Sequence, residues 1–206
     1  MPRDKTETHN RQIPCIRREF LEHGYDKASL KNIAASAGIS AAGIYRHFPG
    51  KQAMFAALVE PTTSEFLRKC NATLSDTYDK LWNKEFRDSF CAYRMHKNEE
   101  LINFIYDHYS VFKLLLCCSE GTPYAHFKDQ LIEIEIQETK DLFAALDQEG
   151  ISHNQISDDE FYILASTFIT AFCVPVKYDY SREKAIHHMN FLGKLLYPGM
   201  KQVLGF

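Results

Sequence analysis

Residues 29–51, SLKNIAASAGISAAGIYRHFPGK, allow very few folds. Ser29 and Ser40 each stand where a side-chain oxygen can cap the first turn of a helix. Gly38 lies between them, where a chain turning tightly out of one helix needs a left-handed residue. The spacing predicts a short helix with Leu30, Ile33, Ala34 and Ala37 on its inner face, then a tight turn. A second short helix follows from Ser40 to Phe48 and ends before Pro49. Ala34, Ala35 and Ala37 let two helices cross closely, and Ile39 plugs the corner between them. Ile44 and Phe48 are four apart and point inward, which turns Tyr45 and His47 outward. Ala41, Ala42 and Gly43 leave the start of the second helix nearly bare. Two such helices behind a supporting helix form a helix-turn-helix.

The rest of the chain also reads as helix. A first helix is expected from Asn10 to His23, with Ile13, Ile16, Phe20 and Leu21 as its stripe and Gly24 as its stop. Pro14 fits if Asn10 is the cap, because the first turn has no N–H partner to lose. A long helix follows Pro49, and Pro61 is expected to kink or interrupt it. Further helices are expected over 79–96, 98–118, 122–149, 158–176 and 182–203. The expected fold is all-α: an N-terminal three-helix helix-turn-helix head, 1–55, joined by a long helix to a C-terminal helical bundle, 56–206.

Charge separates the two regions. Residues 1–60 hold nine Lys and Arg against six Asp and Glu, a balance of +3, while the remainder carries −6. A basic head on an acidic body suits an anionic partner for the head alone. The polar N-terminus and the shortness of the apolar runs lead to the expectation of a soluble, cytoplasmic protein without a membrane span. The six cysteines include no C-x-x-C pair, so neither a disulfide framework nor a zinc site is expected. His187-His188 and the other histidines lack the i, i+4 partners of a metal site. Asp158-Asp159-Glu160 after Ser157 reads as a helix N-terminus. No nucleophile elbow, phosphate loop or dinucleotide fingerprint is present, so no enzyme activity and no cofactor are expected.

The run FLEHGYDKASLKNIAASAGISAAGIYRHFPGKQAMFAALVE, within 12–60, resembles the DNA-binding domain of TetR-family transcriptional regulators. The shared features are a first helix ending in Gly-aromatic, a second helix with IA…AGIS, and IY.HF..K leading into a fourth helix. The resemblance implies that Ser29 donates to a DNA phosphate and that Tyr45 and His47 clamp the backbone beside the recognition helix. Lys51 would contact a further phosphate. Base contact would fall to Ser40, Ala41, Ala42 and Gly43, with Lys31 or Arg46 as additional candidates. Alanine methyls meet thymine methyls without hydrogen bonds, so part of the specificity would come from DNA shape and dimer spacing.

For the body, the resemblance implies a homodimeric repressor that releases operator DNA on binding a small-molecule effector. The implied pocket draws on Phe104, His108, Phe112, Tyr124, His126, Phe168 and Phe172. The implied dimer face takes Phe161, Leu164 and Phe168 from one of the last two helices, and Met189, Leu192 and Leu196 from the other. The alternative for these stripes is that both are consumed inside one subunit. Two other readings stay open: thiol sensing through Cys117 and Cys118, and a helical adaptor that does not bind DNA.

Overall fold

The structure, a computed structural model, describes the backbone of residues 5–81 and 84–205; side chains are described except at 5–11, 41, 73–81, 84–88, 90–91, 200–201 and 204. The described residues form helices α1 (Lys5–Lys27), α2 (Leu30–Ala37), α3 (Ala41–Tyr45), α4 (Lys51–Leu81), α5 (Lys84–Asp107), α6 (Tyr109–Cys117), α7 (Phe127–Gln148), α8 (Asp158–Lys177) and α9 (Arg182–Leu204), with no strand among them.

Two compact units are present, and each is discontinuous in sequence. The first comprises 1–65 and 108–126, the second 66–107 and 127–206. The return of 108–126 to the head is a departure from a single cut at residue 55. It follows from α6 packing on α1 and from the Tyr25 N–H donating to the Cys118 carbonyl at 2.9 Å. The core of this unit is built on Ile16, Phe20, Ile33, Ile44, Met54 and Phe55, all inaccessible to solvent. Phe55 meets Phe20 edge-on at 5.3 Å and Tyr25 at 5.6 Å, the geometry aromatic quadrupoles favour.

Several element boundaries differ from the sequence expectation. α1 begins at Lys5, so Asn10 is not its cap and Pro14 lies inside the helix. Pro14 is exposed, where water can take up the carbonyl that the proline leaves unbonded. Gly24 does break the helix, with φ 70° and ψ 170°. α4 runs uninterrupted through Pro61; Pro61 is exposed, where water can take up the carbonyl that the missing N–H leaves unbonded. The break expected near residue 97 falls instead at His108, whose φ of −121° and ψ of 32° leave the helical region. Asn98 continues α5 because its side chain is buried against the Tyr197 hydroxyl.

In the second unit, α8 packs between α7 and α9, and α5 packs on α9. Ser157 caps α8 in a capping box with Glu160, which uses the acidic run as a helix start. α8 is, by length and composition, apolar enough to cross a membrane. Its packing explains that content: Phe161, Ala165, Phe168, Ile169 and Phe172 are buried. Leu142, Phe143 and Leu146 of α7 close one end of this core around Phe161.

Candidate nucleic-acid interface and body cavity

The start of α2 is held by two side chains. The Ser29 hydroxyl accepts the Asn32 N–H at 3.4 Å. The buried Glu19 carboxylate, from α1, accepts the Ser29 N–H at 2.9 Å and the Asn32 side-chain amide at 3.2 Å. Gly38 ends the helix at φ 67°, ψ 33°. From there Ile39 donates back to Ala34 and Gly38 to Ala35, which satisfies the last carbonyls. Ser40 then caps α3, its hydroxyl accepting the Gly43 N–H at 3.1 Å.

Glu19 is the residue sequence reading missed, since its partners lie 10 and 13 positions away. Replacing it with alanine leaves two donors without their buried acceptor, and a loss of about 1.5–3 kcal/mol is expected. Thermal denaturation checks this, and Glu19→Gln, which keeps one acceptor oxygen, should recover most of the loss.

α3 spans only Ala41–Tyr45, after which His47 and Phe48 both donate to the Ile44 carbonyl and the chain turns. Ile44 and Phe48 are buried, as the spacing requires. Tyr45 is 53% exposed; Lys31, Ser40, Ala42 and Arg46 are exposed, and Ser29, Gly43 and His47 are partly so. The Ala41 side chain lies outside the described residues. At Gly43 an added Cβ would stand 3.5 Å from the Ser40 hydroxyl and 3.6 Å from Ile39, so the backbone there is open rather than crowded. Lys51 differs from expectation: its ammonium donates to the Asp26 carbonyl at 3.0 Å and the Ala28 carbonyl at 3.5 Å. It also lies 4.6 Å from the Tyr25 ring centre. Its first role is to cap the broken end of α1.

The second unit contains a cavity of about 50 Å³. Its apolar wall includes Phe66, Phe168 and Phe172, and its polar wall consists of Arg94, Asn98, Glu135 and Glu138. The Arg94 guanidinium donates to Glu135 at 2.9 Å and to the Tyr197 hydroxyl. Of the residues expected to line a pocket, Phe168 and Phe172 do so. Phe104 stacks at 5.9 Å on Phe66, which does. His108, Phe112, Tyr124 and His126 belong to the other unit: Phe112 is core there, and Tyr124 packs 5.9 Å from Phe55.

Burial, reinforced by the Glu135 charge, pushes the Glu138 carboxyl from an ordinary 4.5 up to about 9. An unfolded chain ionises this group near 4.5, so between these values the folded state holds the extra proton. The contribution of Glu138 to stability is therefore fullest below about 4.5 and is lost as pH rises towards 9. Cys70, pushed up to about 12, and Tyr197, raised by burial, titrate above that window. Glu138→Gln should flatten the fall, with a melting-temperature advantage over the parent that is smallest at pH 5 and grows towards pH 9.

Four of the six residues of the expected dimer face belong to the protomer's own core. Phe161, Phe168, Met189 and Leu192 are buried, and Leu164 and Leu196 half-buried. Among the described residues, α8 and α9 leave the apolar side chains of Tyr162, Ile163, Phe191 and Leu195 more than half exposed, and Val203 44% exposed. Burial with the neighbouring Cys117 raises the Cys118 thiol, which opposes the thiolate that redox sensing uses. No cluster of His, Cys, Asp and Glu suited to a metal occurs among the described residues.

Residues 16–58 match the family described as bacterial regulatory proteins, tetR family. The nucleoid occlusion factor SlmA of Escherichia coli is 38% identical over 56 residues, which is 27% of this chain and 28% of that protein. The likeness to these curated relatives therefore covers under a third of their length. Over nearly the whole chain the fold is that of solved TetR-family regulators. PfmR of Thermus thermophilus has a TM-score of 0.59 at 12% identity, over 89% of this chain and 97% of its own. NalD, the secondary repressor of the MexAB-OprM multidrug efflux pump in Pseudomonas aeruginosa, has 0.58 at 16% identity over 98% of each.

Proposed function

Since residues 16–58 belong to the tetR family of bacterial regulatory proteins, we propose that this protein is a cytoplasmic, homodimeric transcriptional repressor that leaves its operator when a small molecule enters the body. The observation that carries the reading is the head: two helices capped by Ser29 and Ser40, joined through a left-handed Gly38, with Tyr45 and Arg46 exposed beside a bare α3. In this reading the α3 start meets base edges, while Ser29, Tyr45 and His47 meet phosphates. Lys31 and Arg46 add charge at the rim. Lys51 keeps one ammonium donor for a phosphate while its others hold α1.

The exposed apolar residues of α8 and α9 suit pairing with a second copy, which would present two heads to half-sites one turn apart, ~34–36 Å between centres. The cavity is the effector site of this reading. Phe66 and Cys70 line it, and both stand on α4, the helix that begins in the head at Lys51. An effector that favours one placement of α4 would shift the population of head spacings. Selection of bound duplexes from a random DNA pool tests the proposal. Enrichment of one palindromic sequence is expected; recovery of unenriched DNA, or none, would support a helical adaptor instead.

A further inference from the structure

We propose that Asn32, an exposed side chain that the fold nevertheless holds in one orientation, is a further DNA-contacting residue and donates a side-chain N–H to a backbone phosphate. This rests on the DNA-binding reading of the head. Asn32 stands on the first turn of α2 and is exposed. A solvated asparagine ordinarily keeps its rotamer freedom, and fixing it has an entropic cost. Here Glu19 fixes it. The Glu19 carboxylate reaches over from α1 and accepts an N–H of the Asn32 amide at 3.2 Å. A carboxylate of this kind offers acceptors only, so the amide must turn its nitrogen, not its oxygen, towards Glu19. That nitrogen carries two N–H groups, and Glu19 takes one of them. An exposed donor aimed in advance binds without the ordering cost that a loose one would meet.

The chemistry of this turn selects a phosphate over a base edge. Two of its backbone donors are already used: the Ser29 N–H goes to Glu19, and the Asn32 N–H goes to the Ser29 hydroxyl. What the turn can extend outward is therefore side chains. Ser29 lies three positions before Asn32, on the same face of the helix. Its hydroxyl oxygen accepts from Asn32 and still has its own proton to give. Lys31, beside them, is exposed and carries an ammonium. A hydroxyl, an amide N–H and an ammonium within one turn suit a partner that only accepts, which a phosphodiester is and a base pair is not. The first helix of a helix-turn-helix also crosses the DNA backbone rather than the floor of the groove. A contact of this kind fixes the register of the head on the duplex and carries no sequence information of its own.

The test titrates the full chain against two duplexes, the palindrome enriched from a random pool and a scrambled duplex of equal length. Asn32→Ala should lower affinity for both by a similar factor, about three- to tenfold, because a phosphate contact is blind to sequence. It should leave the salt slope unchanged, because an uncharged amide displaces no counterion. Asn32→Asp keeps the shape but replaces the donor with a charged acceptor, and should lose more than Asn32→Ala. Asn32→Lys should restore affinity and steepen the salt slope by about one for each protomer bound. A scan of single uncharged methylphosphonate linkages along the enriched duplex then locates the contact. One linkage in each half-site should weaken the parent more than it weakens Asn32→Ala. Thermal melts of all variants separate binding from folding. Affinities that follow melting temperature instead of the order lysine, asparagine, alanine, aspartate at position 32 would overturn the proposal. So would a loss in Asn32→Ala confined to the enriched duplex, which marks a base reader, or no loss at all. If the parent binds the enriched duplex with salt dependence and Asn32→Ala binds it equally well, only this contact falls. If the parent binds neither duplex, the DNA-binding reading falls and the contact with it.

Discussion

Arg94→Leu should cost about 3–5 kcal/mol of folding stability, the range seen when one partner of a buried ion pair is removed. Arg94 and Glu135 have side chains only 13% and 14% exposed, and their contact is 2.9 Å. Without the guanidinium, Glu135 is left charged beside Glu138, and the Tyr197 hydroxyl loses a donor. Most of that penalty comes from the stranded carboxylate rather than from the worth of the pair. Arg94→Leu combined with Glu135→Leu should therefore be far less damaging than the sum of the two single changes. Denaturant unfolding of the four members of the cycle checks this, and additive losses would mean that the two side chains do not act as a pair.

Phe191→Glu with Leu195→Glu should turn a dimer into monomers and reduce operator affinity towards the non-specific level, a loss of about a thousandfold or more. The two residues are 60% and 61% exposed on one face of α9, so the substitutions take nothing from the protomer core. A two-fold axis places each charge in the interface twice, where four buried carboxylates would repel. Sedimentation velocity reads the mass and a mobility-shift titration reads the affinity. A dimer that persists would move the pairing surface elsewhere. The same changes at Phe161 or Met189 would instead unfold the protomer, because those side chains are inside it.

That contrast shows where sequence reading stops. α8 carries Phe161, Tyr162, Ile163, Leu164 and Ala165 in succession. With apolar residues on every face, periodicity cannot say which stripe its own core takes and which it leaves outside. The head is different because its signals are local. Ser29, Gly38 and Ser40 each act on backbone groups within about four residues, so caps and turn were readable from spacing alone. Lys51 shows the limit within the head: its carbonyl partners are 23 and 25 residues away, and only the fold brings them together. The polar wall of the cavity is less legible still. Arg94 and Glu135 are 41 residues apart, and Asn98 and Tyr197 99 apart. The aromatic residues of 104–126 looked equivalent in sequence, yet the break at His108 assigns Phe112 and Tyr124 to the head unit.

DNA binding by the head is the central claim, and its salt dependence is the most direct measurement of it. Affinity for the selected operator should fall linearly in log–log form with salt, with a slope of several phosphate contacts. It should exceed affinity for a scrambled duplex by about a thousandfold or more. Tyr45→Ala, which removes an exposed ring that no core contact needs, should lower operator affinity about tenfold or more while leaving the melting temperature unchanged. Binding without salt dependence or sequence preference, or operator affinity indifferent to Tyr45→Ala, would contradict the account.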